Sequence, residues 1–261
     1  MNDTKEYFRR QDTVACWWHP ESPDDPLHQH TLTQLQWASA VLPWAGKQVL
    51  DVATGRGRFA IAYAREGADV TAIDLSRQML DFTRANAQAQ QVAFPCLLAD
   101  AVHLPFPDRS FDVLSCMEAI MHVPDAQAAL REFRRLLRPD GRLLISLTNR
   151  YRINALGRLP TALYQKLGLI DLGDLRIMWS YSLPAFRRML RQAGFAIDDV
   201  HGLGLFQPNA RVVLSRRLSF APFPPAFAHW FFAKAEPPLR RTPLKNLMGT
   251  LNILARPVHQ Q

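Results

Sequence analysis

Apolar positions in the middle of this chain switch repeatedly between strand-like runs and helical spacing. Val49, Leu50 and Val52 form a short apolar run, a turn bearing Gly55 and Gly57 follows, and Phe59, Ala60, Ala62 and Tyr63 then recur with a helical period. Val70 to Ile73 is a second run, ending in Asp74, and Ser76 is placed to cap a helix from Arg77 to Ala87. Leu97-Leu98-Ala99 is a third run, ending in Asp100, and Phe111 to Met117 is a fourth. Leu137-Arg138-Pro139-Asp140-Gly141 reads as the turn closing a helix, with a fifth strand from Arg142 to Leu147. Strand and helix in alternation predict a parallel sheet with helices on both faces, an α/β fold.

Around this core, Leu32, Leu35, Gln36, Ala38 and Leu42 give residues 1–45 the pattern of a helical cap. Two stretches interrupt the alternation, near 150–180 and 206–243. The second holds Phe206, Phe220, Phe223, Phe227, Trp230, Phe231 and Phe232 among many prolines. Between them, a helix from Leu183 to Ala193 and a strand from Phe195 to Leu203 resume the pattern, and Asn246 to Ala255 is the expected last strand. The chain divides into the cap, 1–45, and a main domain, 46–261, that carries both insertions.

The order strand, glycine turn, helix, strand, acid sets the turn beside Asp74 at the carboxyl ends of two adjacent strands, where a nucleoside binds in such sheets. Gly55 and Gly57 allow close backbone approach, and Asp74 can accept hydrogen bonds from both hydroxyls of a ribose. Dinucleotide sites use G-x-G-x-x-G with the pyrophosphate at a helix N-terminus. Here Ala53 holds the first small position, and no glycine lies three residues beyond Gly57. Asp51 would repel a pyrophosphate and attract an ammonium or sulfonium. One acid at a strand end is as readily a helix cap as a ligand. Asp51, Asp74 and Asp100, each at the end of its own strand, make a shared ligand the better account.

The turn Asp51-Val52-Ala53-Thr54-Gly55 resembles the first motif of class I S-adenosylmethionine-dependent methyltransferases, most of all the ubiquinone/menaquinone C-methyltransferases and their small-molecule relatives. The segments at Asp100, Phe111 to Met117 and Leu137 to Leu147 have counterparts in the same order, so the likeness spans roughly 45–150. It continues more weakly over 181–195 and 252–257. The resemblance implies a Rossmann-like, seven-stranded sheet whose last strand is antiparallel, and S-adenosyl-L-methionine as cofactor. It implies that Asp51, Ala53, Thr54, Gly55, Gly57, Asp74, Leu75, Met79, Asp100, Ala101, Met117 and Glu118 hold that cofactor. Asp100 would meet the adenine amino group, the Ala101 N–H the ring, and Met117 and Glu118 the methionine end. Met79 serves equally well as core.

Charge sharpens this picture. Residues up to Leu130 carry about ten Lys/Arg against sixteen Asp/Glu, and those beyond carry about twenty-one against seven. An acidic cofactor half suits a cationic ligand. The arginines beyond have ordinary uses: Arg131, Arg134, Arg135 and Arg138 are expected in the last turns of one helix, where cations complement the dipole. No RNA-binding module or interleaved basic–aromatic stripe is present, which disfavours nucleic acid. Cys16, Cys96 and Cys116 lack metal-ligand spacing, no acid–histidine pair suggests a metal, and no apolar stretch has membrane-spanning length. Without a leader pattern at Met1–Glu6, a cytoplasmic protein is expected. The sequence leaves the oligomeric state open.

The cap and both insertions are expected to form a lid over the cofactor, with an aromatic pocket for an apolar or anionic small molecule. Methyl transfer from a sulfonium needs mainly alignment and exclusion of water, plus a base where the acceptor arrives protonated. His122 is the first candidate base or substrate contact, with Glu118 and the cap histidines His19, His28 and His30 behind it. The expected activity is methylation of a small metabolite, on oxygen in preference to carbon or nitrogen, in secondary or quinone-like biosynthesis. Two other readings are a non-methylating cyclisation or isomerisation on the same fold, and a regulatory protein that keeps the nucleoside site.

Overall fold

The structure, a computed structural model, describes residues 5, 6, 8, 26–150, 179–204, 212–215, 218–220, 227, 230–240 and 242–258. At its centre, β1 (Gln48–Val52), β2 (Asp69–Asp74), β3 (Cys96–Leu98), β4 (Phe111–Cys116), β5 (Leu137–Thr148), β6 (Phe195–Leu203) and β9 (Thr250–Pro257) form one sheet. Their order is β3-β2-β1-β4-β5-β9-β6. The first five pair in parallel, and β9 runs antiparallel between β5 and β6. Strand order reverses between β1 and β4, which opens a crevice at their carboxyl ends. β7 (Val212–Ser215) and β8 (Leu218–Phe220) form a separate two-stranded ladder.

The central strands are apolar on both faces because helices cover both. Leu50, Val52, Ile73, Leu114 and Ile145 pack into one cluster with Leu130 and Phe133 of α4 (Ala126–Leu136) and Phe186 of α5 (Leu183–Gln192). The alternate positions Val49, Val70, Val113 and Leu144 face the opposite cluster. There they meet Ala38 of α1 (Pro26–Val41) and Phe59, Ala60 and Tyr63 of α2 (Arg58–Arg65). Ser76 caps α3 (Arg77–Ala89), accepting the Met79 N–H.

Several boundaries differ from the sequence reading. β5 starts at Leu137, which pairs with Phe111, and the Arg138–Gly141 turn is an irregularity within that strand. Arg138 therefore lies beyond α4 and pairs with Asp112 at 2.7 Å, so it does not serve the helix dipole. The last strand begins at Thr250 because Pro243–Leu247 forms a 3-10 turn capped by Thr242. β3 ends at Leu98, two residues before Asp100. Trp230, in the second insertion, is 54% exposed. Cys116 is buried and Cys96 half-buried, while Cys16 and most of both insertions lie outside the described residues. Among the described residues, no helix is long and apolar enough to cross a membrane.

Candidate functional site

A cavity of about 860 Å³ opens at the carboxyl ends of β1 to β4, on the crevice where strand order reverses. Asp51, Ala53, Thr54 and Gly55 line it from the end of β1, and Asp74, Leu75 and Met79 from the end of β2 and the start of α3. Asp100 and Ala101 line it beyond β3, and Met117, Glu118 and His122 beyond β4. The three acids thus meet one space although 49 positions separate Asp51 from Asp100 in the chain. Gly57 alone of the expected cofactor residues is not on the wall. It stands at the N-terminus of α2 with φ 82°, and a Cβ there would come within 2.8 Å of Thr83 Cγ2. Its role is close packing of the turn against α3.

The turn is held from both sides. Gly55 N–H donates to Asp74 Oδ2 at 2.9 Å, and Thr54 N–H donates to the Ile73 carbonyl at 2.9 Å. From α3, Thr83 Oγ1 donates to the Gly55 carbonyl at 2.7 Å and Asn86 Nδ2 to that of Arg56 at 2.9 Å. Gly55 has φ 60°, and a Cβ built on it meets nothing within 4 Å. The glycine keeps this part of the cavity open. Ala53 (φ 54°) and Glu118 (φ 57°) also occupy the left-handed region, which is costly for residues with a Cβ and concentrates at functional sites.

Each acid has a distinct setting. Asp51 is buried and accepts Thr54 Oγ1 at 2.7 Å; burial pushes its carboxyl up to about 6, against the opposing effects of Thr54, Ser115 and Arg58. Burial likewise raises Asp74, while N–H groups of Ser76, Gly55 and Leu75 favour its ionised form. Asp100 is partly exposed, accepting Val102 N–H at 3.3 Å and ion-pairing with Lys5.

Other wall residues had little signal in the sequence. Arg58 opens α2, where a cation opposes the helix dipole, so its placement there needs another cause. That cause is the pair of carboxylates, Asp51 and Glu118, whose fields favour its charge against the burial that lowers its pKa. Lys5 and Phe8 reach the cavity from the N-terminal segment, with the Phe8 ring 5.1 Å from that of His122, edge on. Thr31, Leu32 and Leu35 bring in α1. One buried residue behind the wall, Gln34 of α1, donates to Glu118 Oε1 and to Asn252 Oδ1, both at 2.8 Å. Of the cap histidines, His30 is held neutral by burial, and His19 lies outside the described residues.

Chemically, the space offers carboxylate acceptors from Asp100 at β3 to Glu118 at β4, with apolar side chains between and beside them. It suits an elongated polar molecule bearing a cation and hydroxyls. No group of three or more metal-ligating side chains occurs among the described residues.

Residues 50–145 match the family model of a methyltransferase domain. A ubiquinone biosynthesis O-methyltransferase of Thiobacillus denitrificans is 32% identical over 212 residues, which cover 80% of this chain and 90% of that protein. The protein of that name from Coxiella burnetii is 33% identical over 148 residues, 57% of this chain, and the match spans only 63% of its length. Among solved structures, an S-adenosylmethionine-dependent methyltransferase from Thermotoga maritima superposes with a TM-score of 0.63, at 18% identity, over 97% of this chain and 99% of that one. At that identity the likeness speaks for the fold.

Proposed function

We propose that this chain, which belongs to the class I S-adenosylmethionine-dependent methyltransferases in their ubiquinone-biosynthesis-like branch, methylates a small, largely apolar or anionic metabolite on oxygen. The observation that carries the reading is the single cavity shared by Asp51, Asp74 and Asp100. The strand order β3-β2-β1-β4 supports an order of adenine, ribose and methionine along the cavity. Asp100 and the Ala101 N–H take the adenine, and Asp74 takes the ribose hydroxyls with the oxygen lone pairs its backbone donors leave free. Asp51, Thr54 and Gly55 hold the methionine portion, with Met117 and Glu118 beside it. Leu75 and Met79 are apolar walls for the nucleoside. Bound there, S-adenosyl-L-methionine supplies an electrophilic methyl on a sulfonium.

The acceptor then sits at the β4 end, where Phe8, Met121, His122 and Val123 are available. Alignment and exclusion of water do most of the work. His122 is a contact or base for the acceptor, and Glu118 is the other ionisable group in reach. Oxygen is preferred because the relatives from Thiobacillus denitrificans and Xylella fastidiosa are named ubiquinone biosynthesis O-methyltransferases, a name that also supports a quinone-like acceptor; the cytoplasm is the location we propose. Residues 1–45 act as a cap, and the insertions near 150–180 and 206–243 as a lid on the main domain, 46–261.

The test is transfer of label from methyl-labelled cofactor to a panel of catechols, carboxylic acids and amines. Product confined to the phenols supports the reading. Cofactor binding with no transfer to any member would favour a non-methylating role.

A further inference from the structure

We propose that Glu118, rather than His122, takes the acceptor's proton, and that Gln34 and Ser146 position it for this. The inference rests on the methyl-transfer reading above and deepens it. Glu118 follows the carboxyl end of β4 and lines the cavity with β2 and β1 between it and Asp100. Its carboxylate is held on one side only. Gln34 Nε2 donates to Oε1 at 2.8 Å, and Ser146 Oγ donates to the same oxygen at 3.3 Å. The Glu118 N–H in turn donates to Ser146 Oγ at 2.5 Å, so backbone and side chain are tied to one hydroxyl of β5. Among the described residues Oε2 has no donor.

The orientation of the Gln34 amide is decisive. Its NH2 spends both hydrogens, one on Glu118 Oε1 and one on Asn252 Oδ1. Gln34 Oε1 and Asn252 Nδ2, both deeply buried, have no hydrogen-bond partner among the described residues. A buried polar group without a partner is costly, and a plain helix strut would avoid the arrangement. What the arrangement gains is an Oε1 fixed as an acceptor. With Oε1 accepting from Gln34 and Ser146, Oε2 is the oxygen on which Glu118 would take a proton. The left-handed backbone at Glu118 adds to the strain maintained at this one point.

Other charged groups surround Glu118. The fields of Glu118 and Asp51 both favour the charge of Arg58 on α2. His30 of α1 lies within the field of Glu118 and of Glu236, but burial keeps its imidazole neutral. Arg240 pairs with Glu236 at 2.7 Å behind it. His122, by contrast, stands on the 3-10 turn Ile120–His122 with its ring against Phe8, as part of the pocket wall.

In the step, the acceptor's O–H bond breaks and its proton passes to Glu118 Oε2. The oxygen's electron pair forms the O–CH3 bond, and the methyl–sulfur bond breaks with its pair remaining on sulfur. The products are a methyl ether, S-adenosylhomocysteine and a protonated Glu118, which returns its proton to water.

The experiment measures kcat/KM against pH with a 4-alkylcatechol for the wild type, Glu118→Gln, Gln34→Leu and His122→Gln, with cofactor affinity taken by calorimetry for each. Glu118→Gln should lose about 10²–10⁴-fold in kcat/KM and its acid limb, with cofactor affinity changed only a few-fold. Gln34→Leu should keep the alkaline plateau and shift the acid limb to higher pH, because the ionised oxygen loses a donor; a merely structural Gln34 would lower the whole profile evenly. His122→Gln should raise KM and keep the limb. Three results would overturn the assignment: a wild-type profile in Glu118→Gln, loss of the limb in His122→Gln, or a fall in cofactor affinity that accounts for the whole loss in Glu118→Gln. A wild type that binds cofactor but methylates no catechol fails the underlying reading instead, and the assignment with it.

Discussion

The backbone N–H of Gly55 lies 2.9 Å from Asp74 Oδ2, so the carboxylate that lines the cavity at β2 also closes the glycine turn at β1. The cavity wall and the fold of the turn are tied together through that oxygen. Asp74→Ala should weaken cofactor binding by about 1–3 kcal/mol and lower the melting temperature together, since buried N–H groups of Gly55 and Ser76 lose their acceptor. Calorimetry and thermal denaturation check the pair of effects. Lost affinity at unchanged stability would mean that the turn does not depend on Asp74.

Asp51 predicts a conflict between stability and binding. Its folded-state carboxyl stands near 6, above its ordinary 3.8, so the folded protein holds this proton more tightly than the unfolded chain. The associated stability is fully present below about pH 4 and is lost as pH rises through about 6, on the order of 3 kcal/mol in all. Asp51→Asn should therefore stabilise the ligand-free protein at pH 7.5 while weakening its hold on a cationic ligand. In the wild type, affinity for the sulfonium should fall as pH drops below about 6. Denaturant melts and calorimetry at pH 5 and 7.5 read both quantities.

Gly55 and Gly57 should respond differently to alanine. Both have positive φ, which costs a residue with a Cβ about 1–2 kcal/mol. Gly57→Ala also drives a methyl against Thr83 and should lose more stability. Gly55→Ala meets no protein atom and should instead lose more cofactor affinity, because the methyl enters ligand space. Equal effects of the two variants on binding would contradict the assignment of Gly57 to packing.

Lys5 ion-pairs with Asp100 across the rim of the cavity, with both side chains partly exposed. Such pairs contribute about 0–1 kcal/mol. Lys5→Ala should change cofactor affinity less than about fivefold and chiefly speed its dissociation, while Asp100→Ala should lower affinity by more. Stopped-flow displacement of bound cofactor distinguishes the two.

Local chemistry explains what could be read from the chain beforehand. β1, β2 and β4 were legible because strands covered on both faces are apolar throughout, and the α3 cap because Ser76 precedes a helical period. Asp51, Asp74 and Asp100 were legible because each follows its own apolar run. Gly57 was expected beside the ligand and lies off the cavity wall; a left-handed cap and a ligand turn demand the same residue type. Gln34 gave no warning: a glutamine in the helical cap looks solvent-facing until β4 and β9 bring Glu118 and Asn252 to it across 84 and 218 positions. Lys5 and Phe8 were hidden for a similar reason, since only the folded chain returns the N-terminal segment to the carboxyl edge of the sheet.

The most direct test of the whole account is a calorimetric titration of the purified chain with S-adenosyl-L-methionine. One site per chain, weakened in each of Asp51→Asn, Asp74→Ala and Asp100→Ala, is the predicted result. No heat of binding at millimolar cofactor, or affinity indifferent to all three substitutions, would contradict it.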